Sequence, residues 1–164
     1  MSDLLVINER LETPTTFDTT LTLPFELRQK SRLRVKLDDG REAGLMLSRG
    51  HILRGGECLR AEDGTIVSIT AAAESVTTVT HGRVTDLARA AYHLGNRHVA
   101  LQVGDGWLRY LADHVLDDMV ISLGLDIQHE QAPFEPESGA YHGHGHSHSH
   151  NHAHDHDDHH HHAL

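Results

Sequence analysis

The chain has 164 residues, with 14 lysines and arginines against 24 aspartates and glutamates, and a formal net charge of -10 when histidine is neutral. This acidic balance argues against nucleic acid as the main partner. The single cysteine, Cys58, excludes an internal disulfide and any multi-cysteine zinc site. The N-terminus has neither a basic start nor an apolar run long enough for a signal peptide or a membrane span. We therefore expect a cytoplasmic protein with no nucleic-acid or membrane partner.

The first part of the chain, residues 1–72, reads as a small all-β domain. Alternating apolar residues and glycine turns predict strands at 32–37, 42–47, 57–61 and 65–69, and no segment predicts a helix. Basic residues at alternate positions are predicted to line the solvent face of a strand: Arg28, Lys30, Arg32, Arg34 and Lys36. This half of the chain carries no catalytic cluster.

The pattern changes in residues 73–138, where strands and helices alternate. Strands are predicted at 76–81, 99–103, 107–111 and 127–131. One helix is predicted over 85–94, capped by Thr85 and stopped by Gly95. A second helix follows the cap residue Asp113 and ends at Gly124. The order βαββαβ predicts a ferredoxin-like arrangement, and the whole chain therefore belongs to the α+β fold class.

The last part, residues 139–164, is predicted to be a disordered, histidine-rich tail that binds metal. Proline and glycine before it disfavour regular pairing, and 12 of the 21 residues from 142 to 162 are histidine. Eight of them alternate with other residues: His142, His144, His146, His148, His150, His152, His154 and His156. In an extended segment alternate side chains lie about 6.5 Å apart on one side, so neighbouring imidazoles can chelate one ion.

A purification tag is the alternative explanation for the final run from His159 to His162. A tag does not explain the eight alternating histidines. Imidazole donors alone permit Ni²⁺, Zn²⁺ or Cu²⁺. The affinity order places Ni²⁺ below Cu²⁺ and near Zn²⁺, so it does not select nickel.

Six histidines lie outside the tail, and each by itself is more often a surface or hydrogen-bonded residue than a ligand. They are His51, His81, His93, His98, His114 and His129. No pair has the zincin spacing His-Glu-x-x-His. The role of His93 and His129 stays open.

Three motifs in the second half resemble one known family. They are GNRHVALQ at 95–102, DHVL at 113–116 and APFEPESGAY at 132–141, followed by the histidine-rich end. Together they resemble the UreE family of urease accessory proteins, which are nickel metallochaperones. The first part of the chain is compatible with that family's β-domain.

The resemblance implies a homodimer that carries Ni(II) as cargo across its two-fold interface, where the family's ligand falls on His98. It also implies delivery through the urease accessory GTPase to apo-urease. Some members have an auxiliary His-x-His pair, and this chain has Ala112-Asp113-His114 at that place. His114 is therefore either a second ligand or a residue of the first helical turn without metal.

Two other classes of protein are alternatives. A metal-dependent hydrolase needs a closed ligand set and a general base, and the folded region offers only scattered histidines. The chain is therefore not expected to be an enzyme. Passive storage or detoxification of nickel or zinc is the stronger alternative, because a histidine-rich tail by itself indicates only sequestration.

Overall fold

Short strands of alternating polarity build the first half of the chain into one six-stranded sheet. The computed structural model describes residues 4–139. The strands are β1 (Leu5–Arg10), β2 (Thr19–Leu23), β3 (Arg32–Lys36), β4 (Glu42–Met46), β5 (Cys58–Ala61) and β6 (Ile66–Ala71). They lie in the order β2-β6-β5-β1-β4-β3. The pairs β1–β4 and β2–β6 are parallel, and the other three neighbouring pairs are antiparallel.

The core of this sheet is aliphatic. Ile7, Leu45, Leu59 and Val67 are among its completely or almost completely buried side chains. At the edge, β3 exposes Arg32, Arg34 and Lys36 and turns Val35 inward, as the alternation predicts. Charged side chains on an edge strand disfavour pairing with another chain.

Two predictions for this half are wrong. A single helical turn, α1 (Phe25–Arg28), follows Pro24, and a four-residue element is too short to produce a periodic apolar pattern. Arg28 belongs to this turn rather than to a strand, and its side chain is completely buried. The alternating basic series could not predict the burial of Arg28, because the series runs across the end of α1 and the loop before β3.

Strands and helices alternate in the second half, which forms a four-stranded sheet. Its elements in chain order are β7 (Ala73–His81), α2 (Val84–Asn96), β8 (Gln102–Gly104), β9 (Trp107–Leu111), α3 (His114–Ser122) and β10 (Asp126–Pro133). The strand order is β10-β7-β9-β8, with every neighbouring pair antiparallel. Among residues 4–139, no helix is both long and apolar enough to cross a bilayer.

Both helices bury one apolar face on this sheet. Ala90 and Leu94 of α2 and Leu116 and Val120 of α3 join Tyr110 in the second core. Asp113 caps α3 as predicted, since its carboxylate accepts hydrogen bonds from the backbone N–H groups of Val115 at 2.9 Å and Leu116 at 3.3 Å.

The predicted limits of α2 and β8 need correction. Helix α2 begins after Arg83, which makes no side-chain capping bond, so Thr85 is not the cap. The helix also continues through Gly95 to Asn96, because a glycine inside a helix weakens it without ending it. Strand β8 is shorter than the predicted strand at 99–103, because its pairing with β9 begins only at Gln102. The predicted disordered tail lies outside the described residues, apart from Gly139.

A third core and one buried cation join the two sheets. Phe25 of α1 packs edge-on against Phe134, which follows β10, with ring centroids 5.5 Å apart. The Arg28 guanidinium donates to the carbonyl oxygens of Leu23 and Leu53, both at 3.1 Å. It also donates to the Phe134 carbonyl and to the Glu135 carboxylate. A buried charge with this many partners is satisfied, and the removal of either side leaves unpaired polar groups.

We predict that Arg28→Met lowers the free energy of unfolding by about 3 kcal/mol, because Glu135 and three carbonyl groups each lose a charged donor. Urea denaturation followed by circular dichroism measures the change. The control is Arg34→Met, because the Arg34–Glu42 ion pair is exposed and should contribute at most about 1 kcal/mol. Equal losses in the two variants would contradict the structural role of Arg28.

Candidate metal site

His98 occupies a left-handed position directly after Arg97, the C-cap residue of helix α2. Its φ is 58°, and among residues 4–139 it is the only residue other than glycine with a positive φ. The N–H of His98 donates to the Gly95 carbonyl at 3.0 Å, and the N–H of Val99 donates to the Leu94 carbonyl at 3.2 Å. These two bonds form a Schellman helix end, in which the left-handed residue is most often glycine.

A histidine at this position is less favourable for folding than a glycine. The left-handed conformation costs an L-residue about 1–2 kcal/mol through contact of Cβ with the backbone, and glycine avoids that contact. Backbone conformations of this kind cluster at functional sites. The side chain of His98 is exposed, so the fold presents an imidazole to solvent at a place that local stability alone would assign to glycine.

The helix that leads to His98 has an exposed apolar stripe. Val84 is 85% exposed and Tyr92 is 65% exposed, and Ala88 between them is also exposed. Residues four apart lie on the same side of a helix. The three side chains therefore form an apolar surface, the α2 stripe, that runs along the helix ending at His98.

His93 lies on α2, one position after Tyr92. Its ring packs edge-on against the Tyr92 ring, with centroids 5.4 Å apart and planes at 77°. His93 is half-buried. Packing against a neighbouring ring is a structural role for this histidine and involves no metal.

His114 is the first residue of α3, and it is exposed. It therefore lies in the first helical turn, immediately after the cap residue Asp113. The resemblance allowed two roles for His114. The structure of this turn does not depend on a metal ion. The imidazole is exposed, so it is also accessible to a metal ion.

A buried carboxylate fixes helix α3 on the sheet. Tyr110, Thr77 and His129 are directly opposite one another on β9, β7 and β10. All three side chains hydrogen-bond Asp117 of α3: Thr77 Oγ1 at 2.8 Å, Tyr110 Oη at 2.7 Å and His129 Nε2 at 2.7 Å. This row could not be predicted from the sequence, because no local pattern reports which residues of three strands become neighbours.

The electrostatics of the row follow from this geometry. Burial alone would raise the pKa of Asp117, but the hydrogen bonds from Tyr110, His129 and Thr77 outweigh burial and hold that pKa below its usual value. Burial and the neighbouring Asp117 carboxylate raise the pKa of Tyr110. Asp117 is therefore an ionised acceptor that ties α3 to three strands.

The predicted ligands do not form a closed site within the described part of the chain. Across residues 4–139, leaving aside the side chain of His81, no three His, Cys, Asp or Glu side chains are grouped closely enough to hold a metal ion. The eight predicted tail ligands, from His142 to His156, lie outside the described residues.

Comparison with known proteins decides the family. The family model for the C-terminal domain of the UreE urease accessory protein matches residues 74–162, and the model for its N-terminal domain matches residues 6–72. The chain belongs to the UreE family. The predicted resemblance is thereby confirmed, and the two-domain UreE architecture agrees with the mixed but mostly β structure.

Individual UreE proteins match along most of the chain. The urease accessory protein UreE of Alkalilimnicola ehrlichii is 64% identical over 140 residues, which cover 85% of this chain and 86% of that protein. UreE of Pseudomonas putida strain W619 is 58% identical over 139 residues, which cover 84% and 86%. UreE of Citrobacter koseri is 52% identical over 139 residues, covering 84% and 91%. These relatives are named as accessory proteins rather than as enzymes.

We predict that the His98→Gly variant of this protein is more stable than His98→Ala by about 0.5–1 kcal/mol. Both changes remove the imidazole, but only glycine avoids the steric cost of the left-handed position, and its greater unfolded-state entropy offsets part of the gain. Urea denaturation of the metal-free variants measures the difference. If the His98→Ala variant were equally or more stable, the left-handed backbone would not be a source of strain at this position.

Proposed function

We propose that this protein is a metallochaperone that carries nickel for urease maturation. Membership of the UreE family supports the role in urease maturation. The observation that carries the metal site is His98, an exposed imidazole at a helix-ending position where glycine would be more stable. In this proposal Ni²⁺ is cargo rather than a resident cofactor.

The transferable ion is held between two copies of the chain. The α2 stripe of Val84, Ala88 and Tyr92 is an apolar surface that a second copy would cover. In a symmetric dimer the same surface is used by both subunits. The proposal places His98 at the two-fold axis, where it meets His98 of the other chain. Two imidazoles hold nickel more tightly than one, and further histidines can complete four to six ligands.

The tail collects metal for this site. The alternating histidines from His142 to His156 offer many weak, exchangeable donors. Imidazoles release an ion more readily than thiolates do, which suits a carrier. His114 is an auxiliary donor in this scheme, because its imidazole is exposed at the start of α3. Zn²⁺ and Cu²⁺ are competing ions for the same ligands.

The remaining features of the proposal concern architecture and partners. We assign residues 1–72 to a β-domain that meets partners and residues 73–138 to a ferredoxin-like domain, which the antiparallel order β10-β7-β9-β8 supports. Residues 139–164 are the metal-collecting tail. The partners are the urease accessory GTPase and apo-urease, in the cytoplasm. The buried free thiol of Cys58 fits a reducing compartment.

The first test is calorimetric titration with Ni²⁺ of a full-length chain in which all twelve tail histidines are changed to serine, hereafter the tail-serine chain. We expect one tight ion per dimer, and we expect His98→Ala to remove it, because both interface imidazoles are lost together. His51→Ala is the matched control, since His51 pairs with Glu57 in the first sheet. Tight binding that survived His98→Ala would refute the interface site.

A second test separates a carrier from a passive store, which is the alternative function. The nickel-loaded dimer is mixed with the apo-urease accessory complex, and nickel bound to urease is followed against time in the presence of excess chelator. A carrier delivers nickel by contact, so the chelator does not prevent transfer. A store releases nickel at the same slow rate with or without the partner, and the chelator then takes all of it.

A further inference from the structure

Gly95 is a glycine inside helix α2 that the rest of the described chain does not require. The helix continues through it to Asn96, and glycine is among the least favourable residues within a helix. Its φ is not positive, so its backbone conformation is open to any residue. As far as residues 4–139 go, a Cβ added at Gly95 would meet nothing within 4 Å beyond its own stretch of helix. For the single chain, alanine would be the more stable choice.

The bare position lies on the α2 stripe. Gly95 follows Val84 by three turns of helix, and at 3.6 residues per turn it points between Val84 and Ala88, about 20° from each. Like those two residues, Gly95 is exposed. The apolar surface therefore ends in helix backbone that no side chain covers.

This backbone is directly bonded to the proposed ligand. The N–H of His98 donates to the Gly95 carbonyl at 3.0 Å. Leu94, in the same turn, is completely buried in the second core, so the turn is anchored on the sheet from its other side. A molecule that packs on Gly95 therefore lies beside His98.

The charges of this face favour a second copy of the chain as the molecule that covers it. The α2 stripe and Gly95 carry no charged side chain. The Asp86–Arg89 ion pair of the helix closes on itself at 3.2 Å, and both residues lie at least about 100° around the helix from Ala88 and Gly95. Two chains of formal charge -10 repel each other, and an uncharged face lets them meet without placing like charges together.

We propose that Gly95 is a positioning residue: it lets the α2 helices of two copies cross in close contact, so that both His98 imidazoles reach one nickel ion. Near a two-fold axis a residue meets its own copy, so a side chain at position 95 would enter the contact from both subunits. Packed helix axes lie about 8–10 Å apart depending on the side chains at the contact, and glycine allows the closest approach. This inference rests on the proposed function.

The test is a size series at position 95 in the full-length, metal-free protein. Alanine and leucine both favour a helix more than glycine does, but they differ in bulk. We expect the dimer dissociation constant, measured by sedimentation equilibrium, to rise at least threefold in Gly95→Ala and at least thirtyfold in Gly95→Leu. A role in helix stability alone would not weaken the dimer, and a loose apolar contact would be strengthened by leucine.

Nickel affinity separates positioning from dimer strength. In the tail-serine chain, calorimetry is performed at protein concentrations that keep Gly95→Leu dimeric. We expect the affinity of the His98-dependent site to fall at least tenfold, because the two imidazoles are held farther apart. Ser122→Ala is the control, since it favours the helix at an exposed position of α3 without a change of charge. It should change neither constant by more than twofold.

Four results would overturn the proposal. They are equal dissociation constants across the series, a dimer strengthened by leucine, unchanged nickel affinity in dimeric Gly95→Leu, and loss of helical circular dichroism in Gly95→Ala. Unchanged dimerisation with weaker binding of the accessory GTPase would assign this face to that partner and would also overturn it. A monomeric parent protein, or a tail-serine chain without a His98-dependent tight site, would instead refute the proposed function.

Discussion

The buried guanidinium of Arg28 is the interaction on which the arrangement of the two halves depends. It lies at the end of a single helical turn of the first sheet region and binds the backbone and the carboxylate of residues that follow the second sheet. Because a buried cation requires all of its partners, the chain beyond β10 cannot leave this position without a large loss of free energy. The two sheets and residues 134–135 are thereby tied together.

A second polar cluster performs the corresponding task within the C-terminal half. Asp117 accepts hydrogen bonds from side chains of three strands, so α3 is fixed in rotation as well as in distance from the sheet. Apolar packing alone allows a helix to rotate or slide, whereas a buried carboxylate with three donors specifies one arrangement. His114 is the first residue of α3, so this cluster also fixes the position of His114.

His98 shows how the fold gives up local stability at the proposed site. Helix α2 could end on a glycine at no steric cost, and the histidine there is exposed at the end of an apolar stripe. Among the described residues, every other residue with a positive φ is a glycine. The one exception, His98, is the residue that the family motif indicates. The conformation and the motif are independent observations that point to the same side chain.

The sequence by itself determined the family, the strand at 107–111, the Asp113 cap and the candidate ligand His98, because each depends on a contiguous motif or on local periodicity. It also predicted the exposure of Arg34 and Lys36 correctly. It could not predict α1, whose four residues are too few for a pattern, or the end of α2 at Asn96 rather than before Gly95. The tertiary structure alone decided the burial of Arg28, the Asp117 row and the docking of residues 134–135. These features join side chains that are 7 to 107 positions apart, and only strand register and sheet packing bring such residues within hydrogen-bonding distance.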